Sequence, residues 1–397
     1  MRLPFLALAS FIPSSVVPRP TYNGGVDRAL NLLLYPSNLA SPGRLVKIAR
    51  SLSPLFSQTH VVGIDQGDLP TDEAVAPTVH LTRIRGASLG APLGGVRVVG
   101  AWGARVYRRF ARQRVAAVSA QNLFLLPLAH ALARRTGAVF AYNAHELETE
   151  TVGSAGLRQR LQRVIERRYI RRADVVSVVN ESIAQWYREA YPGVDPVVVT
   201  NAPTGAEGVI DLRARLGIPE GALLYLHSGY LAPGRNIPLI LRAFEQVTSA
   251  HVIFVGSGAL LPEVERAAAS HPNIHHLPPV EPEQVLAMTR GADVVLCLIE
   301  SGCLSHRMST PNKMMEAFAA GVPALCSPLA EARRYLGDQA PAWVLEDPER
   351  DLASALRHIT RDDIDAFEAP RIPTWEEGAA RLRKAYERAL AARATHQ

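Results

Sequence analysis

Short apolar runs of strand length alternate along this chain with longer stretches in which apolar residues return every three or four positions. ALNLLLYP is followed by the turn-forming SNLASPGR, by RLVKIARSLSPLF with helical period, and by a second strand, THVVGID. RVAAVSA, the helical LLPLAHALARRTG and AVFAYN repeat the unit, as do RADVVSVVN, ESIAQWYREAY and PVVVTN. Such alternation predicts a parallel sheet covered by helices. NAPTGAEGVIDL breaks the rhythm with Pro and Gly and reads as a linker. The rhythm then restarts: GALLYLHSG, IPLILRAFEQV, HVIFVGSG, LPEVERAAA, NIHHLP, EPEQVLAMTRGA, DVVLCLIE and VPALCS. The predicted organisation is α/β: a doubly wound domain over 29–200, a linker over 201–212, a second doubly wound domain over 213–373, and a closing helix over 374–393. A chain of 397 residues is long enough for two such domains. Open α/β sheets bind ligands beyond the carboxyl ends of their strands, so the expected site is the cleft between the domains, lined by loops that follow strands.

Composition changes this picture little. The chain is 48% hydrophobic and 20% charged, as a globular protein is. Its three cysteines form no CxxC pair, which argues against a disulfide framework or a zinc site and for a reducing compartment. No apolar run reaches the roughly 18–20 residues of a membrane span. MRLPFLALASFIP faintly imitates a signal peptide, but Pro4 and Pro13 interrupt it, and residues 1–28 read as a weakly ordered leader. Charge is more informative. Net charge is +6, yet Ala74 to His145 holds ten arginines and no acid, and GLRQRLQRVIERRYIRR adds a second cluster with Glu166 as its one acid. A solvated basic face and attraction to an anionic surface both fit the 83–114 region. GAWGARVYRRFARQR mixes Trp102, Tyr107 and Phe110 with arginines, as an interfacial helix would. No recognition motif accompanies the charge, so nucleic acid is not an expected partner.

Four loops carry candidate chemistry. In STPNKMMEAFAAGVP, Thr310 can cap a helix, Pro311 suits its first position and Gly321 ends it. The first-turn amides of Asn312 and Lys313 then form an anion site, with Glu316 on the same face. A surface Lys–Glu pair is the plain alternative. In LHSGYLAPGRN, Gly229 lets backbone approach a phosphate and Arg235 can grip one. In AYNAHELETE, His145 and Glu146 follow a strand; a helix capped by Asn143 and Glu146 would explain the acid but not the histidine. In SNLASPGR, Gly43 and Arg44 can line the cleft. VGSG lacks the third glycine of a dinucleotide fingerprint, so Gly256 and Gly258 suit a tight strand–helix turn.

PNKMMEAFAAGVPAL together with NAHEL, RRADVVSVVNESIA and GYLAPGRNIPLILRAF resembles the family 4 glycosyltransferases, nucleotide-sugar-dependent enzymes of the two-Rossmann GT-B fold, in their PNK-bearing branch. The resemblance runs from about Ala29 to the final helix. It implies two Rossmann-like domains facing a central cleft, with the C-terminal helix crossing back onto the N-terminal domain, where Trp375 would pack. It implies that Glu316 binds the nucleotide ribose, that Asn312, Lys313 and Arg235 meet the diphosphate beside Gly229, and that Val280 flanks the base. His145 would stand near the donor sugar, and Gly43 and Arg44 near the acceptor and phosphate. Met308 occupies the place where the family commonly has another glutamate, and Glu300 cannot simply replace it. The implied reaction is retaining transfer of a hexosyl or N-acetylhexosaminyl group to a glycan, lipid-linked or small-molecule acceptor, with no cofactor and no metal. Catalysis would fall to His145, Arg235 and Lys313. The expected location is the cytoplasm, with the inner face of the membrane as a candidate. A catalytically degenerate nucleotide-sugar-binding scaffold and a sugar epimerase of the same fold stand as alternatives.

Overall fold

The computed structural model describes residues 29–86, 94–204 and 207–395; the predicted leader over 1–28 lies outside them. The N-terminal sheet contains β1 (Leu30–Leu34), β2 (Gln58–Asp65), β3 (Asp72–Ala76), β4 (Val79–Arg85), β5 (Val115–Ala120), β6 (Val139–Ala144), β7 (Val175–Val178) and β8 (Val197–Val198), in the order β3-β4-β2-β1-β5-β6-β7-β8. Every neighbouring pair is parallel except β3–β4. Five helices pack on this sheet: α1 (Gly43–Leu52), α2 (Gly94–Phe110), α3 (Leu126–Thr136), α4 (Gly156–Tyr169) and α5 (Glu181–Ala190). The second sheet, β9 (Leu223–Ser228), β10 (Ala250–Val255), β11 (Ile274–Leu277), β12 (Val294–Cys297) and β13 (Ala324–Cys326), is parallel throughout, in the order β11-β10-β9-β12-β13. Helices of this half include α6 (Ile237–Gln246), α7 (Asn312–Ala320) and α8 (Ala330–Leu336). Two Rossmann-like α/β layers therefore face each other, as the apolar rhythm predicts.

The central strands are buried on both faces because helices cover both, which is why they read as nearly continuous apolar runs. The last helix, α9 (Trp375–Ala394), returns to the N-terminal half. A capping box starts it, with Thr374 and Glu377 exchanging side-chain and backbone hydrogen bonds. Trp375, Leu382 and Tyr386 then enter the core built by α1 and the β1 side of the first sheet, and Trp375 Nε1 donates to Ser51 Oγ at 3.0 Å.

Three local expectations need correction. Arg83 is not part of a basic surface. It is buried on β4, donating to the carbonyls of Asn38, Pro70 and Leu39 and pairing with Glu73 at 3.1 Å, which ties the β3–β4 hairpin to the loop after β1. Nor do Trp102 and Phe110 form an interfacial stripe: both are buried in the N-terminal core, and Trp102 Nε1 donates to the Gly63 carbonyl at 3.0 Å. The α2 arginines at 105, 108 and 109 stay exposed on its other side, so the helix is amphipathic toward its own sheet. Finally, Asn143 is the penultimate residue of β6 and its side chain donates to Gln121, while Glu146 starts no helix, so the capping box expected there does not form.

Candidate functional site

The loops after β1, β6, β9 and β12 converge where the domains meet. Asn180 of the N-terminal half donates to the Met308 carbonyl at 2.7 Å and to Thr310 Oγ1 at 2.8 Å. Asn201 donates to Asn312 Oδ1 at 3.0 Å. Glu331, fully buried on α8, accepts from both the amide and the hydroxyl of Ser182 at the start of α5, at 2.9 and 2.6 Å. Arg334 holds the other carboxylate oxygen at 2.7 Å. An acid from one domain thus sits at the positive end of a helix of the other.

On the C-terminal wall, α7 begins one residue differently from the expectation. Pro311 stands at the cap position and no side chain caps the helix, because Thr310 has turned to Asn180. The first bonded amides are those of Met314 and Met315, both donating to Pro311. The amides of Asn312 and Lys313 donate to no described residue, which leaves them available to an anion. One turn in, Lys313 Nζ lies 3.1 Å from Nε2 of His227, a histidine at the end of β9 that is completely buried. Burial, with Lys313 and Arg235 adding to it, holds His227 well below the usual imidazole range, so it is neutral. Burial, helped by nearby Arg235 and opposed by Cys297 and Glu316, lowers Lys313 to about 8. Arg235 itself makes no hydrogen bond or ion pair to a described residue. Two cations therefore crowd a neutral imidazole with no protein anion bonded to them.

Glu316 is half-buried and accepts no hydrogen bond from a described residue. Burial raises its pKa, and the charges of Lys313 and of Lys47 on α1 pull it back, although the Lys47 ammonium itself donates to the Ala202 carbonyl at 3.3 Å. Gly229 follows β9 in the left-handed region, with φ 109°. Its loop is held by close backbone approach: a Cβ on Gly256 would collide with the Gly229 carbonyl, and one on Gly258 with that of Leu231. The glycines of VGSG therefore serve packing between two loops. Val280 is half-buried against the C-terminal core in the loop after β11. Glu300 is engaged elsewhere, accepting from the Gly234 amide at 3.1 Å. Met308 packs on the N-terminal core, so no carboxylate stands at its position.

On the N-terminal wall, His145 lies beyond β6 with Nε2 3.3 Å from Gln121 Oε1 and its ring 6.4 Å from that of Tyr35. Burial, reinforced by Arg44, lowers it to about 3. Gly43 opens α1 and is exposed. Arg44 donates from Nη2 to the Val199 carbonyl at 2.8 Å, and its guanidinium lies 5.9 Å from the Trp375 ring centre. Its Nε and Nη1 are buried without a partner, and burial lowers it to about 10. Lys47 stands 5.4 Å from the same ring. Sequence reasoning passed over His227 and Lys47. His227 precedes the Ser–Gly that ends β9, and Lys47 lies one turn after Arg44; those positions were the available signals. Among the described residues no three His, Cys, Asp or Glu side chains gather as metal ligands. No described helix is long and apolar enough to cross a membrane.

Residues 44–205 match the family model described as a glycosyl transferase 4-like domain, and residues 222–362 the model described as glycosyl transferases group 1. Over 210 residues the chain is 27% identical to a D-inositol 3-phosphate glycosyltransferase of Nocardioides sp., covering 45% of this chain and 44% of that protein. The alignment thus spans less than half the length of this curated relative. Among solved structures, sucrose-phosphate synthase of Thermosynechococcus elongatus superposes with a TM-score of 0.67 at 14% identity, covering 93% of this chain and 97% of that one. HepE of Anabaena, in complex with UDP-glucose, gives 0.59 at 14% identity, with 92% and 97% covered. At such identity the likeness is one of fold.

Proposed function

The chain belongs to the family 4 glycosyltransferases of the GT-B fold, and from that premise we propose that it moves a hexosyl or N-acetylhexosaminyl group from a nucleoside-diphosphate sugar to an acceptor, with retention of configuration. The observation that carries this reading is the unanswered positive charge at α7. Arg235, Lys313 and the two free amides would together hold a diphosphate, beside a histidine that burial keeps neutral. Glu316, with no other bond to make, accepts from ribose hydroxyls, and Val280 and its loop flank the base. HepE, on the same fold, is solved with UDP-glucose, which supports a nucleotide-sugar donor.

In the transfer, the bond from the sugar's anomeric carbon to the β-phosphate oxygen breaks while the acceptor oxygen bonds to that carbon on the same face. The acceptor's proton passes to a phosphate oxygen of the leaving diphosphate. Negative charge grows on the diphosphate, and Arg235, Lys313 and the α7 amides stabilise it. His145, protonating only at about 3, is too weak a base to take the proton, and it orients the sugar instead. Side-chain cations supply the charge stabilisation in this reading, so no metal is invoked. The cleft excludes water and limits hydrolysis.

Arg44 bears on the acceptor. Two buried guanidinium nitrogens without partners suit an anionic group, and Lys47 stands beside them. This supports an acceptor carrying phosphate, a small molecule or a lipid-linked glycan. Assay of Glu316→Ala and Arg235→Ala with a panel of nucleotide sugars tests the assignment, and wild-type turnover in both refutes it. Met308 keeps the scaffold alternative in view, because its side chain is committed to packing where a carboxylate would face the sugar. Donor binding with neither transfer nor hydrolysis would favour that reading, and donor isomerised without acceptor would favour an epimerase.

A further inference from the structure

The outer face of α4 carries charge and apolar surface that the cleft does not use. The helix turns Gln162, Ile165 and Glu166 inward. Leu157 and Val164, seven residues apart and so on one stripe, point the other way and are 64% and 62% exposed. Val152, just before the helix, is 70% exposed. Single exposed aliphatics are ordinary. Here three of the five exposed large hydrophobics among the described residues fall within one short stretch, so the grouping is not scatter. Helical period places Arg160, Arg167 and Arg168 along or beside the same stripe. Residues 156–172 hold seven arginines and a single acid, Glu166. That acid is buried, accepting from the hydroxyls of Tyr187 and Tyr191 at 2.7 Å each, so no carboxylate on the helix itself offsets the surface arginines, and Glu150, before the helix, pairs with Arg163 at 2.9 Å.

We propose that this face docks on a bilayer surface rich in anionic lipid, with the arginines against headgroup phosphates and the three aliphatic side chains in the interface. The positive field extends past the helix: after burial itself, Arg134, Arg172 and Arg168 hold His130 on neighbouring α3 below its usual range. Nucleic acid would be drawn by the same charge. It would gain nothing from exposed aliphatics, however, and no exposed aromatic ring stands on this helix for a base to stack on. The face is joined to the cleft. Gln159 and Gln162 donate to the carbonyls of Thr149 and Glu148 at 2.9 and 3.2 Å, fixing the first turns of α4 to the loop that carries His145. A docked molecule would hold its cleft rim against the lipid surface.

Co-sedimentation of the full chain with phosphatidylcholine vesicles, with and without phosphatidylglycerol, tests this without reference to transfer. The expected result is binding that needs phosphatidylglycerol and weakens with salt. Each arginine near an anionic surface contributes about 1 kcal/mol, a factor of about five, so Arg160→Glu, Arg167→Glu and Arg168→Glu together should weaken it by at least about 100-fold. Val152→Ser, Leu157→Ser and Val164→Ser, which keep the charge, should weaken it severalfold. All six sites are exposed, and matching circular dichroism and melting curves confirm the fold. Vesicle binding that ignores lipid charge, or a folded charge-reversed variant that binds like wild type, overturns the proposal. So does tighter binding to a DNA duplex than to anionic vesicles that is insensitive to the serine substitutions.

Discussion

Replacing Lys313 by methionine should stabilise the empty protein and cripple it as a donor binder. Methionine is one heavy atom shorter and removes the charge together with the Nζ bond to His227, a loss that subtracts about 1 kcal/mol from the gain. In the folded chain burial and Arg235 bring the lysine to about 8 from 10.5, so keeping it charged at neutral pH opposes folding by about 3 kcal/mol, an upper bound because solvent reaches its edge. The native state binds fewer protons than the unfolded one between about pH 8 and 10.5. Wild-type stability should therefore gain on that of Lys313→Met as pH rises through this window, with the advantage of the variant full below pH 8 and gone above pH 10.5. Donor binding runs the other way. A diphosphate needs the charged ammonium, so wild-type affinity should fall above about pH 8, while the variant should show weak, pH-insensitive binding there. In turnover, loss of one such contact to the developing charge should lower kcat by about 10²–10³-fold. Thermal melts with and without nucleoside diphosphates, from pH 6.5 to 10.5, read both effects. A variant that melts no higher than wild type when empty, and gains as much from nucleotide, would refute the electrostatic account of this wall.

Three more substitutions probe the frame around the site. Glu331→Gln weakens the charge-assisted bonds to Ser182 and Arg334, and urea denaturation should show a loss of about 2 kcal/mol, with small-angle scattering reporting a looser pair of domains. Gly256→Ala puts a methyl group against the Gly229 carbonyl at a φ of 152°, so it should destabilise by more than about 1 kcal/mol and lower nucleotide affinity by shifting the 229–231 loop. Burial raises Glu148 to about 8 from 4.5, so its contribution to stability should decline as pH climbs from 4.5 to 8; the stability profile of Glu148→Gln should be flatter across that window, by up to about 1.4 kcal/mol per pH unit.

The second domain was the more legible half. Its strands carry continuous aliphatic runs, its helices obey the 3.6 period, and Gly321 ends α7 where a left-handed residue is required. Pro311 misled by one position, since Thr310 found a better partner across the domain boundary than on its own helix; local capping rules cannot see Asn180. The β3–β4 hairpin was hidden because its second strand carries a buried arginine, and only the three carbonyls and Glu73 gathered around Arg83 explain a guanidinium there. Trp102, Tyr107 and Phe110 alternate with arginines as an interfacial helix would, and periodicity alone does not say whether the apolar stripe meets lipid or its own sheet. His227 and Lys47 escaped notice because their surroundings come from distant segments: one from α7, the other from α9 and the 199–202 strand end.

The chain passes between the halves twice, once around residues 201–212 and again before Trp375, and the segments that flank the two passages on the N-terminal half touch. Gly378 lies so close to Val199 that an added Cβ would stand 3.3 Å from its Cα, and Arg381 donates to the Val198 carbonyl. Two connections side by side behave as a door on a pair of pins. Any relative movement of the lobes would be steered by both connections together, toward a swing about the line joining them and away from sliding. Such a swing would retrace one arc and return the walls bearing Arg44 and Lys313 to the same register.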